Sequence, residues 1–314
     1  WGHHDGGVSR MTVVVKVGGA RAVDPEGALA DIGSIVDDGE DVVVVHGGST
    51  AVDDTLERMG IEPEYVETPS GVVGRFTDEE TMEVFEMVFG HLNTQLVAGL
   101  QSQGVDAIGL NGVDGKLLAG PRKSAVRVLE DGKRKIKRGD HSGSIKEVNE
   151  ELLYTLLDDG YTPVAGPPMA GREARSASKQ SSGDGEEPRD SDDDEWIPVN
   201  TDADRSAAAI AGALDATLVV LTDVEGVYAD PDDPETLIES VETDDDWGAL
   251  EDAAEGFMER KIMAAGEALG SGAPEVVVAD ANADDPISAA LEGSGTHVHE
   301  TAIDAETDTP EEDT

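Results

Sequence analysis

Residues 12–19, TVVVKVGG, read as a β-branched strand that stops on two glycines. A run of valines with no polar alternation has no face for water, so the strand it forms is buried on both sides, as in a parallel sheet covered by helices. Residues 41–48, DVVVVHGG, repeat the design. Helical spacing over residues 25–37 joins the two strands, a second helix follows at residues 49–59, and a longer one is expected from residue 78 to residue 103. Buried strands alternating with amphipathic helices predict an α/β fold, a three-layer α/β/α sandwich with a mainly parallel central sheet. In such a sheet, ligands gather beyond the carboxyl ends of the strands.

The pattern is less regular outward from there. Residues 126–128, a turn at Asp131 and Gly132, and residues 133–138 resemble a short hairpin, and a helix is expected over residues 145–158. Residues 172–195 accumulate Ser, Gly, Asp and Glu without hydrophobic periodicity and read as an acidic insertion within a domain. A second α/β unit follows: a helix at 203–214, a strand at 218–221, a helix at 248–269 and a strand at 275–279. The chain is therefore divided into a disordered leader at 1–10, a substrate lobe at 11–199, a nucleotide lobe at 200–295 and an acidic disordered tail at 296–314.

Composition bounds the chemistry. The 314 residues contain no cysteine, which excludes disulfides, a thiol nucleophile and cysteine-ligated metals. Sixty-nine acidic residues against 22 basic ones give a formal net charge of -47, and only nine residues are lysine. Such a surface repels nucleic acid and anionic membranes unless its cations are concentrated, and it suits concentrated salt, where repulsion is screened. Disorder, the rival reading of so acidic a chain, is confined to segments by the long apolar strands. No window approaches the length of a transmembrane helix and residues 1–10 show no signal-peptide pattern, so a cytoplasmic location is expected. His3 and His4 in that leader do not make a metal site by themselves, and no protein metal site is expected elsewhere.

Several groups stand where a sheet of this kind binds ligands. Lys16 sits inside an apolar strand, a costly position unless it reaches a partner or ligand at the strand end. Gly19, Gly47 and Gly48 permit tight turns and close backbone approach to an anion. Either turn alone equally suits an ordinary strand-to-helix connection. The segment GVVGRFTDEET brings Arg75, suited to a bidentate grip on a carboxylate or to a salt bridge with one of the many acids, and Thr77, a candidate helix cap. VNTDADRSAA places Asn200, Asp202 and Asp204 at the mouth of a helix, where capping explains one of them more readily than all three. TDVEGVY delivers Thr222, Asp223 and Tyr228 after another strand, and GFMERK places Lys261 on a helix. Lys133, Arg134, Lys135, Lys137 and Arg138 crowd the predicted hairpin, a concentration of positive charge suited to an acidic partner. Nucleic acid is the other polyanion such a patch suits, but the bulk charge and the lack of interleaved aromatics argue against it.

In this order, KVGG, HGGS, GRFTDEET, VNTDADRSAA, TDVEGVY and GFMERK resemble the amino acid kinase family over residues 12–280, within it the acetylglutamate kinase-like branch. The RFTDEET segment and the basic hairpin resemble the members whose substrate, glutamate or 2-aminoadipate, is attached to the small acidic carrier protein LysW, with Phe76 where those members have tyrosine. The resemblance implies ATP-dependent phosphorylation of a side-chain carboxylate with Mg2+, in arginine or lysine biosynthesis, by a homodimer. It implies that Lys16 and Lys261 contact phosphoryl oxygens and that Asp204 organises both lysines. Gly19, Gly47 and Gly48 would line the reaction centre, Arg75 and Asn200 would hold the acceptor, and Thr222, Asp223 and Tyr228 would meet the nucleotide. The five hairpin cations would hold the carrier. Two alternatives stand beside this: an N-acetylglutamate kinase acting on free substrate, and a catalytically silent ligand-binding protein. Glu259, where the family often has lysine two residues before the catalytic one, is the feature that favours the silent reading.

Overall fold

The computed structural model describes residues 10–18, 25–69, 71, 73–130, 133–173, 195–254 and 257–303. Gly19, the hairpin turn at Asp131 and Gly132, most of the acidic insertion and the chain from residue 304 lie outside the described residues, as does the leader up to residue 9.

The opening half runs β1 (Thr12–Val17), α1 (Pro25–Asp37), β2 (Asp41–His46), α2 (Ser49–Met59), β3 (Tyr65–Glu67), β4 (Val73–Arg75), α3 (Glu79–Ser102) and β5 (Ala107–Gly109). The middle comprises β6 (Leu118–Glu130), β7 (Lys133–Gly143), β8 (Glu147–Val148), α4 (Glu150–Asp158), β9 (Thr162–Ala165), β10 (Met169–Glu173) and β11 (Glu195–Val199). The closing part contains α5 (Ala203–Ala213), β12 (Thr217–Thr222), β13 (Ser240–Val241), α6 (Asp244–Ala253), α7 (Phe257–Leu269), β14 (Glu275–Asp280), α8 (Pro286–Leu291) and β15 (Thr296–His299).

Eight strands form the central sheet in the order β13-β15-β14-β12-β1-β2-β9-β5. The six from β14 to β5 are mutually parallel, and β15 runs antiparallel to β14 at one edge. β1 lies at the centre between β2 and β12, so the two halves of the chain share one sheet. Successive residues of a strand face opposite layers. Val14 accordingly packs with Ala207, Ile210, Leu153 and Ile262 from α5, α4 and α7. Val13, Val15 and Val17 pack on the other side with Ile32, Leu100 and Ile287 from α1, α3 and α8. The same alternation puts Lys16 on the Val14 side, toward α5. A satellite core of Val52, Leu56, Phe85 and Phe89 joins α2 to α3.

A second sheet, β11-β10-β6-β7 with β8 on β6, stands beside the first. The expected short hairpin is much longer, 13 residues in β6 and 11 in β7, because polar residues on both of its faces hide the period of two. Gly120 is where this sheet meets the loop before β8: a Cβ there would collide with the backbone carbonyl of Ser144. Backbone cannot rotate away as a side-chain tip can, so Gly120→Ala should destabilise the chain by about 1–3 kcal/mol, read as a lower denaturant midpoint at unchanged slope.

Three boundaries move. The helix expected from residue 145 starts at Glu150, because Asn149 caps it by accepting from Leu152 N at 3.3 Å. The helix expected over residues 248–269 is two helices, the first opened by a capping box of Thr243 and Asp246. Residues 296–303, assigned to a tail, instead form the buried strand β15 and a 3-10 turn.

At the β14–β15 edge, His297 Nδ1 lies 2.8 Å from Glu275 Oε1 and His299 Nδ1 lies 3.7 Å from it. The Glu275 hydrogen bond holds His297 above the usual imidazole range, and His297 in turn holds Glu275 below the usual carboxylate range. The histidine contribution is complete below its unfolded pKa of about 6.5 and is lost as pH rises through the higher folded value; the glutamate contribution is complete above about 4.5 and is lost as pH falls through the lower one. The stability deficit of His297→Ala should therefore be largest between about pH 4.5 and 6.5 and shrink on both sides, as thermal melts across pH would show.

Candidate active site

The carboxyl ends of β1 and β2 meet where Gly47 N donates to Val17 O at 3.2 Å. Gly47 thus gives its amide to the neighbouring strand. Gly48 sits in close packing: a Cβ on it would stand 2.6 Å from Leu92 Cδ1 and 3.2 Å from the Phe89 ring, so any larger residue would have to push these α3 side chains aside. Beneath it, His46 is buried, stacks on Phe89 with centroids 5.6 Å apart and places Nε2 3.3 Å from Asn93 Nδ2. Burial pushes its imidazole below the usual range. A cleft of about 370 Å³ opens beside it, lined among others by Phe89, Asn93, Asn111, Asp114 and Pro198.

Lys16 is 6% exposed and reaches Asp204 Oδ1 at 2.5 Å. The buried lysine is therefore matched by the first turn of α5, whose cap is a different residue: Asp202 accepts from the amides of Asp204 and Arg205 at 2.8 and 3.1 Å. Capping by Asp202 leaves Asp204 to the lysine. Lys261 belongs to the same cluster. Its ammonium is pushed below the usual lysine range first by burial and then by the charge of Lys16, against the opposing pull of Asp204 and Asp223. Two lysines and two carboxylates from β1, α5, α7 and the loop after β12 thus act on one another, with Lys16 buried, Asp204 and Lys261 partly buried and Asp223 exposed, and the more buried charges act more strongly than in water. Thr222, buried at the end of β12, donates to Asp223 Oδ1 at 3.2 Å. Tyr228 lies farther along the same loop and donates to Glu225 Oε2 at 3.0 Å, and burial and that carboxylate raise its hydroxyl above the usual range.

Arg75, with its side chain 5% exposed, lies beside the α2 start: Nη2 is 2.8 Å from Asp53 Oδ1 and donates to Ser49 O and Oγ, both at 2.9 Å, and to Tyr65 Oη at 3.1 Å. Its Nε is buried and has no hydrogen-bond partner among the described residues. Both readings of Arg75 therefore have a footing, the salt bridge to Asp53 and a donor left over beside the glycine turn. Asn200 is held away from Asp202 and Asp204, with Nδ2 donating to Thr77 Oγ1 at 2.9 Å.

Thr77 is fully buried and is not the cap of α3; Asp78 is, accepting from Thr81 N at 2.9 Å. Thr77 N instead donates to Asp140 Oδ1 at 3.1 Å, and Asp140 is itself 1% exposed. Neither role was visible in the local pattern, because the partners lie 63 and 123 residues away along the chain. A buried aspartate in an otherwise polar strand is the one signal that singles out Asp140.

On the hairpin, cross-strand partners share a face. Lys133, Lys135 and Lys137 stand opposite Glu130, Val128 and Val126, while Arg134, Ile136 and Arg138 stand opposite Leu129, Arg127 and Ala125. On the lysine face Lys135 pairs with Glu130 at 2.5 Å, Lys137 pairs with Glu64 and lies 4.1 Å over the Phe76 ring, and Lys133 is exposed. Arg127, Arg134 and Arg138 make no ion pair with a described residue and flank Ile136, which is 65% exposed. The basic patch is thus an arginine surface with two tethered lysines, Lys135 and Lys137, on its other face. Among the described residues no helix is long and apolar enough to cross a membrane, and no three His, Asp or Glu side chains are placed to hold a metal.

Residues 11–280 match the amino acid kinase family. The LysW-aminoadipate kinase of Deinococcus radiodurans is 40% identical over 288 residues, covering 91% of both chains. That of Thermus thermophilus is 39% identical over 292 residues, 91% of this chain and 99% of that protein. The acetylglutamate kinase of Methanopyrus kandleri is 40% identical over the same shares. Among solved structures, N-acetylglutamate synthase from Neisseria gonorrhoeae superposes with a TM-score of 0.69 at 23% identity over 93% of this chain, which spans 60% of that one. Giardia lamblia carbamate kinase bound to AMP-PNP gives 0.62 at 16% identity, covering 93% and 99% of the two chains. These two share the fold. The four charged groups gathered at the strand ends all fall inside the matched residues, and the chain belongs to the amino acid kinase family.

Proposed function

We propose that this chain transfers the γ-phosphoryl group of ATP to the side-chain carboxylate of glutamate or 2-aminoadipate carried on LysW, serving arginine or lysine biosynthesis. The observation that carries the reaction class is the meeting of Lys16, Lys261, Asp204 and Asp223 at the carboxyl edge of the sheet. A carboxylate acceptor is already anionic at neutral pH, so no general base is required; the barrier is repulsion between two anions. One carboxylate oxygen bonds to the γ-phosphorus as the bond to the β–γ bridging oxygen breaks, and the electron pair leaves with ADP. Lys16 stands at the end of β1 and Lys261 across the cluster, each able to meet charge on the transferring group. Asp204 holds Lys16 in place. Thr222, Asp223 and Tyr228 line the loop assigned to the nucleotide, and Arg75 and Asn200 are assigned to the acceptor, with Gly19, Gly47 and Gly48 around the reaction centre.

Magnesium is assigned as the companion of the bound nucleotide. Bound with it, the ion would neutralise phosphate charge. The hairpin cations Lys133, Arg134, Lys135, Lys137 and Arg138 are assigned to the acidic carrier, supported by their concentration in a chain of net charge -47. We further assign a homodimer in the cytoplasm, with neither nucleic acid nor membrane as partner. Trapping the product with hydroxylamine tests the reaction class: hydroxamate and ADP should form in equal amounts, and ADP release without hydroxamate would contradict a carboxylate acceptor.

A further inference from the structure

Thr77 joins three parts of the molecule at one buried point. Its amide donates to Asp140 Oδ1, its carbonyl accepts from His141 N at 2.7 Å, and its hydroxyl accepts from Asn200 Nδ2. Asn200 is tied to the same stretch of β7 through its backbone, donating to His141 O at 2.7 Å and accepting from Gly143 N at 2.9 Å. The other oxygen of Asp140 accepts from the amide of Ser142 at 3.3 Å and from its hydroxyl. Arg122 grips the Asp140 carbonyl through Nε and Nη2 at 3.2 and 3.1 Å. A buried carboxylate persists only where donors meet both oxygens, and here those donors come from both sides of the joint.

The position of the joint gives it a purpose. Asp140 stands two residues beyond Arg138, separated from it by Gly139 at φ 89, and the register of β6 against β7 shifts between Lys123 and Ala125 at the same level. A shift of this kind bends a ribbon and re-aims what lies beyond it. Gly139 and this shift mark the lower end of the basic half of the hairpin, and the first side chain beyond them, Asp140, is the one that fixes Thr77 and, through it, Asn200.

We propose that Asp140 is a positioning residue that couples the hairpin to the acceptor site, so that carrier docking on the basic half sets Asn200 for the carboxylate. The inference rests on the assignment of the hairpin to the carrier. The coupling runs through a contiguous set of hydrogen bonds, which makes it measurable along its length.

Hydrogen exchange on the full chain, with and without LysW lacking an attached amino acid, tests it. The carrier should slow exchange in residues 126–138 and also at the amides of Thr77 and Asn200. In Asp140→Asn, whose side chain has one accepting oxygen for donors on two sides, slowing should persist in residues 126–138 and vanish at Thr77 and Asn200. Turnover of carrier-linked substrate should fall about tenfold, as expected of a misplaced acceptor, with the KM for ATP within about twofold of wild type. Slowing confined to residues 126–138 in the wild-type chain would overturn the coupling and leave carrier docking standing. No slowing anywhere would remove the docking assignment and the coupling with it. Should Asp140→Asn fail to fold, Thr77 decides: Thr77→Ser keeps the oxygen that Asn200 needs and should keep the remote slowing, Thr77→Val should lose it, and equal behaviour of the two would overturn the proposal.

Discussion

Lys261→Ala should lower the rate of phosphoryl transfer by about two to three orders of magnitude, the usual cost of removing one preorganised charge from a developing anion. The structure supplies the reason such a loss would be large. Lys261 is half-buried beside a second lysine, and both burial and that neighbour press its ammonium below the usual range. A charge kept where it is disfavoured works against the fold, so its removal should leave the unfolding midpoint unchanged or raise it. Activity and stability would then move in opposite directions, a signature that general damage to the fold does not produce. Unchanged turnover in this variant would defeat the assigned role. Because Lys261 lies in the cluster with Glu259 two residues before it, full activity in the wild-type chain would also dispose of the silent-protein reading.

Neutralising Lys133, Arg134, Lys135, Lys137 and Arg138 together should lower kcat/KM for carrier-linked substrate by about one to three orders of magnitude, the range over which charge steering acts on association. A small free acceptor has no contact with the hairpin and should lose less than about twofold. The effect should weaken as salt rises, since exposed charges are screened within about a Debye length. The two faces of the hairpin refine the expectation. Arg134 and Arg138 carry no ion pair with a described residue, whereas Lys135 and Lys137 already serve Glu130, Glu64 and Phe76. The arginine pair should therefore account for most of the lost carrier preference, and replacing Lys137 should cost stability as well. Equal losses with free and carrier-linked acceptors would argue against docking here.

The central sheet was legible because valine runs ending in glycine leave few alternatives: β1, β2, β12 and β14 lie within a residue or two of their expected limits. Lys16 was legible for a related reason, since a lone cation in an apolar strand demands a partner, and it has one in Asp204. The second sheet was not, because its long hairpin is polar on both faces and interrupted by the shift at Lys123, while its buried stretches, residues 118–120 and 169–171, are only three residues long, so no period survives for a local reading to detect. Thr77 and Asp140 escaped for a different reason. Each looks like an ordinary turn residue, and only the return of β7 past the β4–α3 connection turns them into a joint. The break between α6 and α7 and the strand β15 were missed where small and polar residues suit several conformations equally well. Gly48 was read for its openness to an anion, whereas the structure adds the pressure of Leu92 and Phe89 upon it.

The most direct test of the whole account is kcat/KM for ATP-dependent acyl-phosphate formation in high salt, measured in parallel on LysW-linked glutamate, LysW-linked 2-aminoadipate and free N-acetylglutamate. The account predicts a preference for a carrier-linked acceptor that persists at this salt and grows as salt is lowered and the hairpin charges are less screened; a preference for N-acetylglutamate would contradict it and reduce the arginine face to a structural feature.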